Sequence, residues 1–302
     1  MRRRRIGAYG LCRDADRVLL VRGSATAPFP GVWRLPGGGV GQGEHPAAAV
    51  RREFAEETGL PVEVSGLRTV VSDVARLAAA DAVVAEHTDR VLYDVVPVGD
   101  GDGDAARRPD VDRSAWVSPA GLACLTLMPF TAELLGRPVS PLPAGVLPRS
   151  GGPASAPVGL QRFSAYGLAT DPAGRVLLTL IAPGYPGAGH WHLPGGGTDH
   201  GEQPTGALLR ELVEESGQLG RITELLTVSH RHNPAALGPE GRPVDWHVVR
   251  VIYRVVVESP TVATVTETAG GSTERAAWFP AAEVGALPLS EVAREATAWL
   301  AG

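Results

Sequence analysis

Residues 35–60 read LPGGGVGQGEHPAAAVRREFAEETGL, and residues 193–218 read LPGGGTDHGEQPTGALLRELVEESGQ. Each stretch sets a run of glycines at fixed distance before a glutamate, then before Arg-Glu-apolar-x-Glu-Glu-x-Gly. Pro46 and Pro204 suit the first position of a helix, where a missing N–H loses nothing. Gly59 and Gly217 suit the position just past a helix end. The spacing therefore predicts a helix of three to four turns in each copy. Ala47, Val50 and Phe54, and Leu208 with Leu212, share one face by their spacing and are expected to bury. Glu53, Glu56 and Glu57, and Glu211, Glu214 and Glu215, are expected on another.

Three carboxylates on one stripe repel one another, and they lie toward the helix end that disfavours anions. A solvated acidic face explains one such cluster; two with identical spacing point to a shared chemical task. A divalent cation removes the repulsion, and a few hard oxygen ligands facing a cleft suit Mg²⁺ or Mn²⁺. Arg52 and Arg210 precede the first acid of each stripe and are expected to orient a carboxylate through a bidentate pair. The glycines at 37–39 and 195–197, Gly38 and Gly196 among them, let backbone approach a ligand closely.

These residues resemble the Nudix box, G-x5-E-x7-R-E-U-x-E-E-x-G-U with U apolar. Gly38 through Leu60 matches at every defined position; Gly196 through Gln218 departs only at its last, where Gln218 replaces an apolar residue. The resemblance implies an α/β fold, an α/β/α sandwich around a mixed β-sheet in each half. It implies metal-dependent hydrolysis of a diphosphate linkage, usually in a nucleoside diphosphate joined to another group. Glu53 and Glu211 are then the candidates to handle the proton of the attacking water, with Arg52 and Arg210 beside them in the catalytic set. The metal set expected is Glu53, Glu56, Glu57 and Gly38 in the first copy, and Glu211, Glu214, Glu215 and Gly196 in the second. Glu44 and Glu202 are candidates to orient these groups or support a second metal.

The repeat runs beyond the boxes. Tyr9-Gly10 recurs as Tyr166-Gly167, RVLLV from Arg17 as RVLLT from Arg175, and Trp33 as Trp191. His87 and Tyr93 match His247 and Tyr253, and Asp112 through Trp116 matches Glu274 through Trp278. Two domains are expected, over 1–136 and 160–302, joined by a proline-rich linker over 137–159. Alternating apolar runs such as RVLYDVV and RVIYRVVV read as strands, and the tail of each half as short closing helices.

Apolar residues make up 44% of the chain, enough for real cores, and no apolar run is long enough for a membrane span. The start, MRRRRIGAYGLC, has no apolar segment of signal-peptide type and is expected to be a solvated tail. A net charge of −5 argues against a general nucleic-acid binder. Two cysteines are too few for a disulfide framework, which suits a cytoplasmic setting. Lysine is absent, so substrate phosphate falls to metal, backbone N–H, arginine or histidine.

Six of the eight histidines lie in the second half. His190 and His192 flank Trp191, where the first copy has Val32 and Arg34 around Trp33. Arg34, His190 and His192 are candidates to meet substrate, the histidines leaning substrate selection toward the second half. Trp33 and Trp191 are candidates to stack a base or isoprenoid, with burial in the core the competing role. Asp112 and Glu274 are candidates for a late-loop ligand or base, against local ion pairs with the arginines that follow them. Two working sites, or one catalytic domain paired with a structural or ligand-sensing one, both fit the boxes. A small-molecule diphosphate, prenyl diphosphates included, is the expected partner, with intramolecular domain pairing expected and a homo-oligomer compatible.

Overall fold

The computed structural model describes residues 1–79, 82–99, 108–147, 159–237, 243–266 and 271–300. By its contacts the chain divides into one compact unit of Met1–Gln161 with His230–Val248, and a second of Arg162–Ser229 with Val249–Gly302.

The first half runs β1 (Arg2–Asp14), β2 (Arg17–Gly23), β3 (Trp33–Arg34), β4 (Gly37–Gly39), α1 (Pro46–Thr58), β5 (Val62–Ala78), β6 (Val83–Pro97), β7 (Val111–Val117), α2 (Pro119–Leu122), α3 (Pro129–Leu134) and β8 (Gly145–Val146). Its strands join in the order β3-β2-β1-β6-β5-β8, with β4 on β1 and β7 on β2. β1 and β6 are parallel while β5 and β6 are antiparallel, so the sheet is mixed. The second half repeats the plan with β9 (Leu160–Thr170), β10 (Arg175–Ile181), β11 (Trp191–His192), β12 (Gly195–Gly197), α4 (Pro204–Ser216), β13 (Arg221–Leu237), β14 (Pro243–Val256), β15 (Thr273–Pro280), α5 (Ala281–Val284) and α6 (Glu291–Ala296). Its sheet order is β11-β10-β9-β14-β13, with β12 on β9 and β15 on β10. Each half is thus an α/β/α sandwich, and the two follow in tandem along the chain. Among the described residues, no helix is long and apolar enough to cross a membrane.

Alternation along β1 creates the layers. Tyr9 and Leu11 join Leu20, Trp33, Met128 and Phe130 in one core. Gly10, between them, faces the other way, where a methyl group would press on Phe54 of α1 at 3.0 Å. Gly167 takes the same place against Leu208 of α4. Both box helices span the predicted residues, and Gly59 and Gly217 end them in the left-handed conformation at φ 69° and 68°. His45 caps α1, its Nδ1 accepting the Ala47 N–H at 3.0 Å.

Two expectations change. The buried face of α1 is Ala49, Val50 and Phe54, with Ala47 only half-buried, and Glu53 and Glu57 are buried beside it. The arginine-rich start is strand, not a solvated tail: Arg4 reaches buried Asp89 at 2.9 Å and Arg3 reaches Glu86 at 3.3 Å. Gln218 keeps its buried position by pairing with Thr261, donating to Oγ1 and accepting the N–H, both at 2.9 Å. Within the stretch expected as linker, β8 pairs with β5, and residues 148–158 lie outside the described residues.

Gly37 and Gly195 force the turn that brings each glycine strand beneath its helix. They sit at φ 141° and 135°, and a methyl group on either would fall inside contact distance of the facing carbonyl oxygen, Ala8 or Ala165. Gly37→Ala should therefore lower stability by about 1–3 kcal/mol in a denaturant titration. Wild-type stability would show that this turn relaxes freely.

Candidate functional site

In the first half, Arg52 is the hub. Its Nε and Nη2 donate to the two oxygens of Glu44, each at 2.9 Å, and its Nη1 donates to Glu53 at 2.7 Å and Glu56 at 3.4 Å. Nη2 also reaches the Gly39 carbonyl at 3.0 Å, tying the helix to the glycine strand. Arg210 repeats the pattern on Glu202 (3.0 and 3.2 Å), Glu211 (2.9 Å) and Glu214 (3.0 Å). The bidentate partners are Glu44 and Glu202, the box's early glutamates. The hydrogen bonds from Arg52, with help from the Gly41 N–H, hold the Glu44 carboxyl below the usual range.

Glu53 is 4% exposed and pressed against the glycine strand, where a side chain at Gly38 would collide with its carboxylate. Gly196 stands in the same relation to Glu211. Glu56 and Glu214 reach outward, their side chains 41% and 39% exposed. Among the described residues, no group of three or more His, Cys, Asp or Glu side chains forms a ready metal-ligand array. A guanidinium nitrogen instead stands between each carboxylate pair. Arg108 Nη1 lies 2.5 Å from Glu53 Oε2 and 3.0 Å from Glu56 Oε2. Arg210 Nη1 bridges Glu211 and Glu214. Positive charge thus already sits between hard oxygen donors, and the chemistry of those donors fits a divalent cation.

Glu57 and Glu215 play a different part. Glu57 is 1% exposed and takes a bidentate pair from Arg34 at 2.6 and 3.0 Å, plus the Gly37 N–H at 2.9 Å. Burial pushes its carboxyl upward, and Arg34 opposes that. Glu215 takes the Gly195 N–H at 2.9 Å and the Thr273 hydroxyl. In this structure both acids pin the glycine turn.

The remaining candidates spread out. Trp33 and Trp191 are buried in the two cores, where Arg113 and Arg275 respectively lie over the rings, so their faces meet core and arginine rather than an open pocket. Asp112 is exposed on β7 and pairs with Arg22 at 2.8 and 3.0 Å. Glu274 is exposed on β15. His190 precedes the two-residue strand β11, its Nδ1 against the Gly187 carbonyl at 3.1 Å, so it shares no strand face with His192. His192 turns to Ser290 at 2.6 Å and packs edge-on to Tyr166. His230 approaches His247 at 3.2 Å and His232 pairs with Asp245 at 2.6 Å, all within the first unit.

Arg108 and Thr273 were not legible beforehand. They precede the matched segments that begin at Asp112 and Glu274, where the two copies have different residues. A small cleft of about 110 Å³ adjoins the first site; Glu53, Glu57, Arg34, Arg108, Arg90 and Phe130 are among its walls.

Burial, reinforced by Arg250, pushes His192 down to about 4. An unfolded histidine titrates near 6.5. The stability tied to neutral His192 is therefore complete above about pH 6.5 and is lost as pH falls toward 4. An NMR titration should place its imidazole near pH 4, and His192→Gln should flatten the fall in stability across that window. A midpoint near 6.5 would contradict the burial. For Glu57, removing one partner of a buried pair strands Arg34, so Glu57→Gln should lose about 3–5 kcal/mol in a denaturant titration. Glu56→Gln should stay within about 1 kcal/mol. Equal losses would refute the division of roles between these two acids.

Comparison with known proteins identifies the domain type. The NUDIX domain model matches residues 1–137 and again 160–300. The nucleoside triphosphatase NudI of Salmonella paratyphi B is 32% identical over 131 residues, covering 43% of this chain and 86% of that protein. The NudI of Salmonella newport matches with the same figures. Among solved structures, a MutT NUDIX hydrolase from Burkholderia pseudomallei is 26% identical, covering 46% of this chain and 97% of its own, with a TM-score of 0.36. With a domain match in each half, the chain belongs to the NUDIX family of hydrolases and carries its domain twice.

Proposed function

We propose that the chain hydrolyses the pyrophosphate linkage of a nucleoside triphosphate or related nucleoside diphosphate derivative, using Mg²⁺ or Mn²⁺. The observation that carries this is the repeated cradle: a glutamate against glycine backbone, a second one turn away, and an arginine guanidinium between their oxygens. Family membership supports the reaction class, and the likeness to NudI supports a nucleotide substrate.

Glu53 and Glu56, and Glu211 and Glu214, are the residues that would hold the metal. When bound, it supplies Lewis-acid polarisation of a phosphoryl oxygen and lowers the pKa of water. Arg52 and Arg210 fix the carboxylates in place. Glu53 and Glu211, facing the glycine backbone, are our candidates to take a proton from the attacking water. Arg108 can turn from the carboxylates to a phosphate, which a guanidinium binds in the same forked way. Glu57 and Glu215 act by fixing the glycine turn. A cytoplasmic setting goes with this reading, since both cysteines are free thiols and nucleotides are abundant there.

The two sites are unequal in this account. The first has Arg34 and Arg108 at its acids; the second has His192 turned to Ser290, and Thr273 on Glu215. Substrate selection, expected in the histidine-bearing half, moves in our reading to the first, beside the cleft.

Hydrolysis of a nucleotide panel, read by product mass, should stop with chelator and return with Mg²⁺ or Mn²⁺. Glu56→Gln and Glu214→Gln should depress it by different factors, the larger at least tenfold. Full activity in chelator would overturn the metal-dependent reading, and equal halving by both variants would overturn the inequality.

A further inference from the structure

Carboxylates engage nearly every arginine around the first site. Glu44 and Glu53 hold Arg52, Glu57 holds Arg34, Glu53 and Glu56 hold Arg108, and Asp73 matches Arg90. The exception is Arg5 of β1, which is half-buried and lines the cleft together with Gly39. Among the described residues its guanidinium has neither a hydrogen bond nor a carboxylate partner. The remaining acids of the cleft are matched elsewhere, Glu86 by Arg3 at 3.3 Å and Asp110 by Arg108 at 3.5 Å. Arg5 therefore adds an uncompensated positive charge to this wall.

The second half repeats the arrangement. The match of Tyr9-Gly10 with Tyr166-Gly167 aligns Arg5 with Arg162, while Arg2, Arg3 and Arg4 fall on Gly159, Leu160 and Gln161. Of the arginine run, only the residue beside the glycine strand recurs. In both halves the guanidinium lies against the last glycine of that strand. A methyl group on Gly39 would meet Arg5 Nη2 at 3.6 Å, and one on Gly197 would collide with Arg162 Nη2 at 2.5 Å. Arg162 is exposed, and among the described residues it too has neither a hydrogen bond nor a carboxylate partner. Chance placement of a solvated arginine does not account for the same position, the same glycine and the same lack of a partner in both copies.

We infer that Arg5 and Arg162 are substrate-binding residues, each taking the phosphate next to the one attacked through its forked N–H donors. The inference rests on reading the two cradles as hydrolytic sites. Glu53 stands against Gly38 and Arg5 against Gly39. Successive strand residues face opposite ways, so acid and cation flank the glycine strand. That strand bears no side chains, pairs with β1 alone among the described strands, and has both groups on the wall of one cleft. The attacked phosphate belongs between Glu53 and Glu56, and its neighbour along the glycine strand reaches Arg5. A neutral or apolar ligand would leave the charge unmatched and take away its water. A guanidinium meets phosphate oxygens in pairs, and with lysine absent no ammonium competes for the task.

The test is calorimetry of the full chain with imidodiphosphate, a diphosphate lacking the bridging oxygen, in excess Mg²⁺. The wild type should bind it at each cradle. Arg5→Met should weaken one binding event about 10- to 100-fold and Arg162→Met the other, the range for hydrogen bonds from a charged donor. Arg17→Met removes an equal charge from a surface pair with Asp14 and should change neither event by more than about twofold. Arg162 is exposed, so its variant should fold, and it decides the matter if Arg5→Met does not. Wild-type affinities in both variants, an equal loss in Arg17→Met, or no binding of imidodiphosphate would overturn the inference. An effect of one folded variant alone would overturn it for the other half. Binding that depends on both arginines, in a chain that hydrolyses no nucleotide, would defeat the catalytic reading and leave this one standing.

Discussion

One arginine fork holds each site together. Glutamates one helical turn apart repel, and neither box helix can present Glu53 with Glu56, or Glu211 with Glu214, without a compensating charge. Arg52 and Arg210 supply it from the preceding residue, each anchored by a bidentate pair to an early glutamate outside the helix. The fork therefore fixes three things together: the helix, the loop that leads into it, and the glycine strand through a backbone carbonyl. Removing it would loosen all three. A lysine could not replace it, because a single ammonium has no planar fork to span the partners.

Around that shared frame the halves diverge where the frame does not constrain them. Glu57 is held by an arginine from β3, whereas Glu215 takes a threonine hydroxyl from β15. Arg108 stands over the first acid pair, and Phe130 lines the first cleft with Val292 in its place in the second half. A duplicated domain can preserve the reacting geometry in both copies and vary the walls, because binding selectivity lies in the walls. One chain can thereby carry two versions of one reaction, or one reaction and a partner domain.

Much of this was legible in the sequence because it is local. Pro46 with Gly59, and Pro204 with Gly217, bracket both helices, and the strands follow their apolar alternation. A bidentate carboxylate pair was expected of Arg52 and Arg210 from their place in the box, and the structure pairs them in this way with Glu44 and Glu202. What stayed hidden depends on pairing across long separations. The arginines of residues 2–5 read as a tail because Glu86 and Asp89 lie more than eighty residues away, on a parallel strand. The burial of Glu57 depends on Arg34 and on a glycine turn, and periodicity shows neither. Arg108 and Thr273 stand just before segments that match between the halves. Comparison of the copies points past them.

The most direct test of the central claim is anomalous scattering from crystals of the chain grown with Mn²⁺. The account predicts manganese between Glu53 and Glu56 with Arg108 displaced from their oxygens, and manganese between Glu211 and Glu214. Crystals that bind manganese elsewhere, or not at all, with the guanidinium of Arg108 still between Glu53 and Glu56, would contradict it.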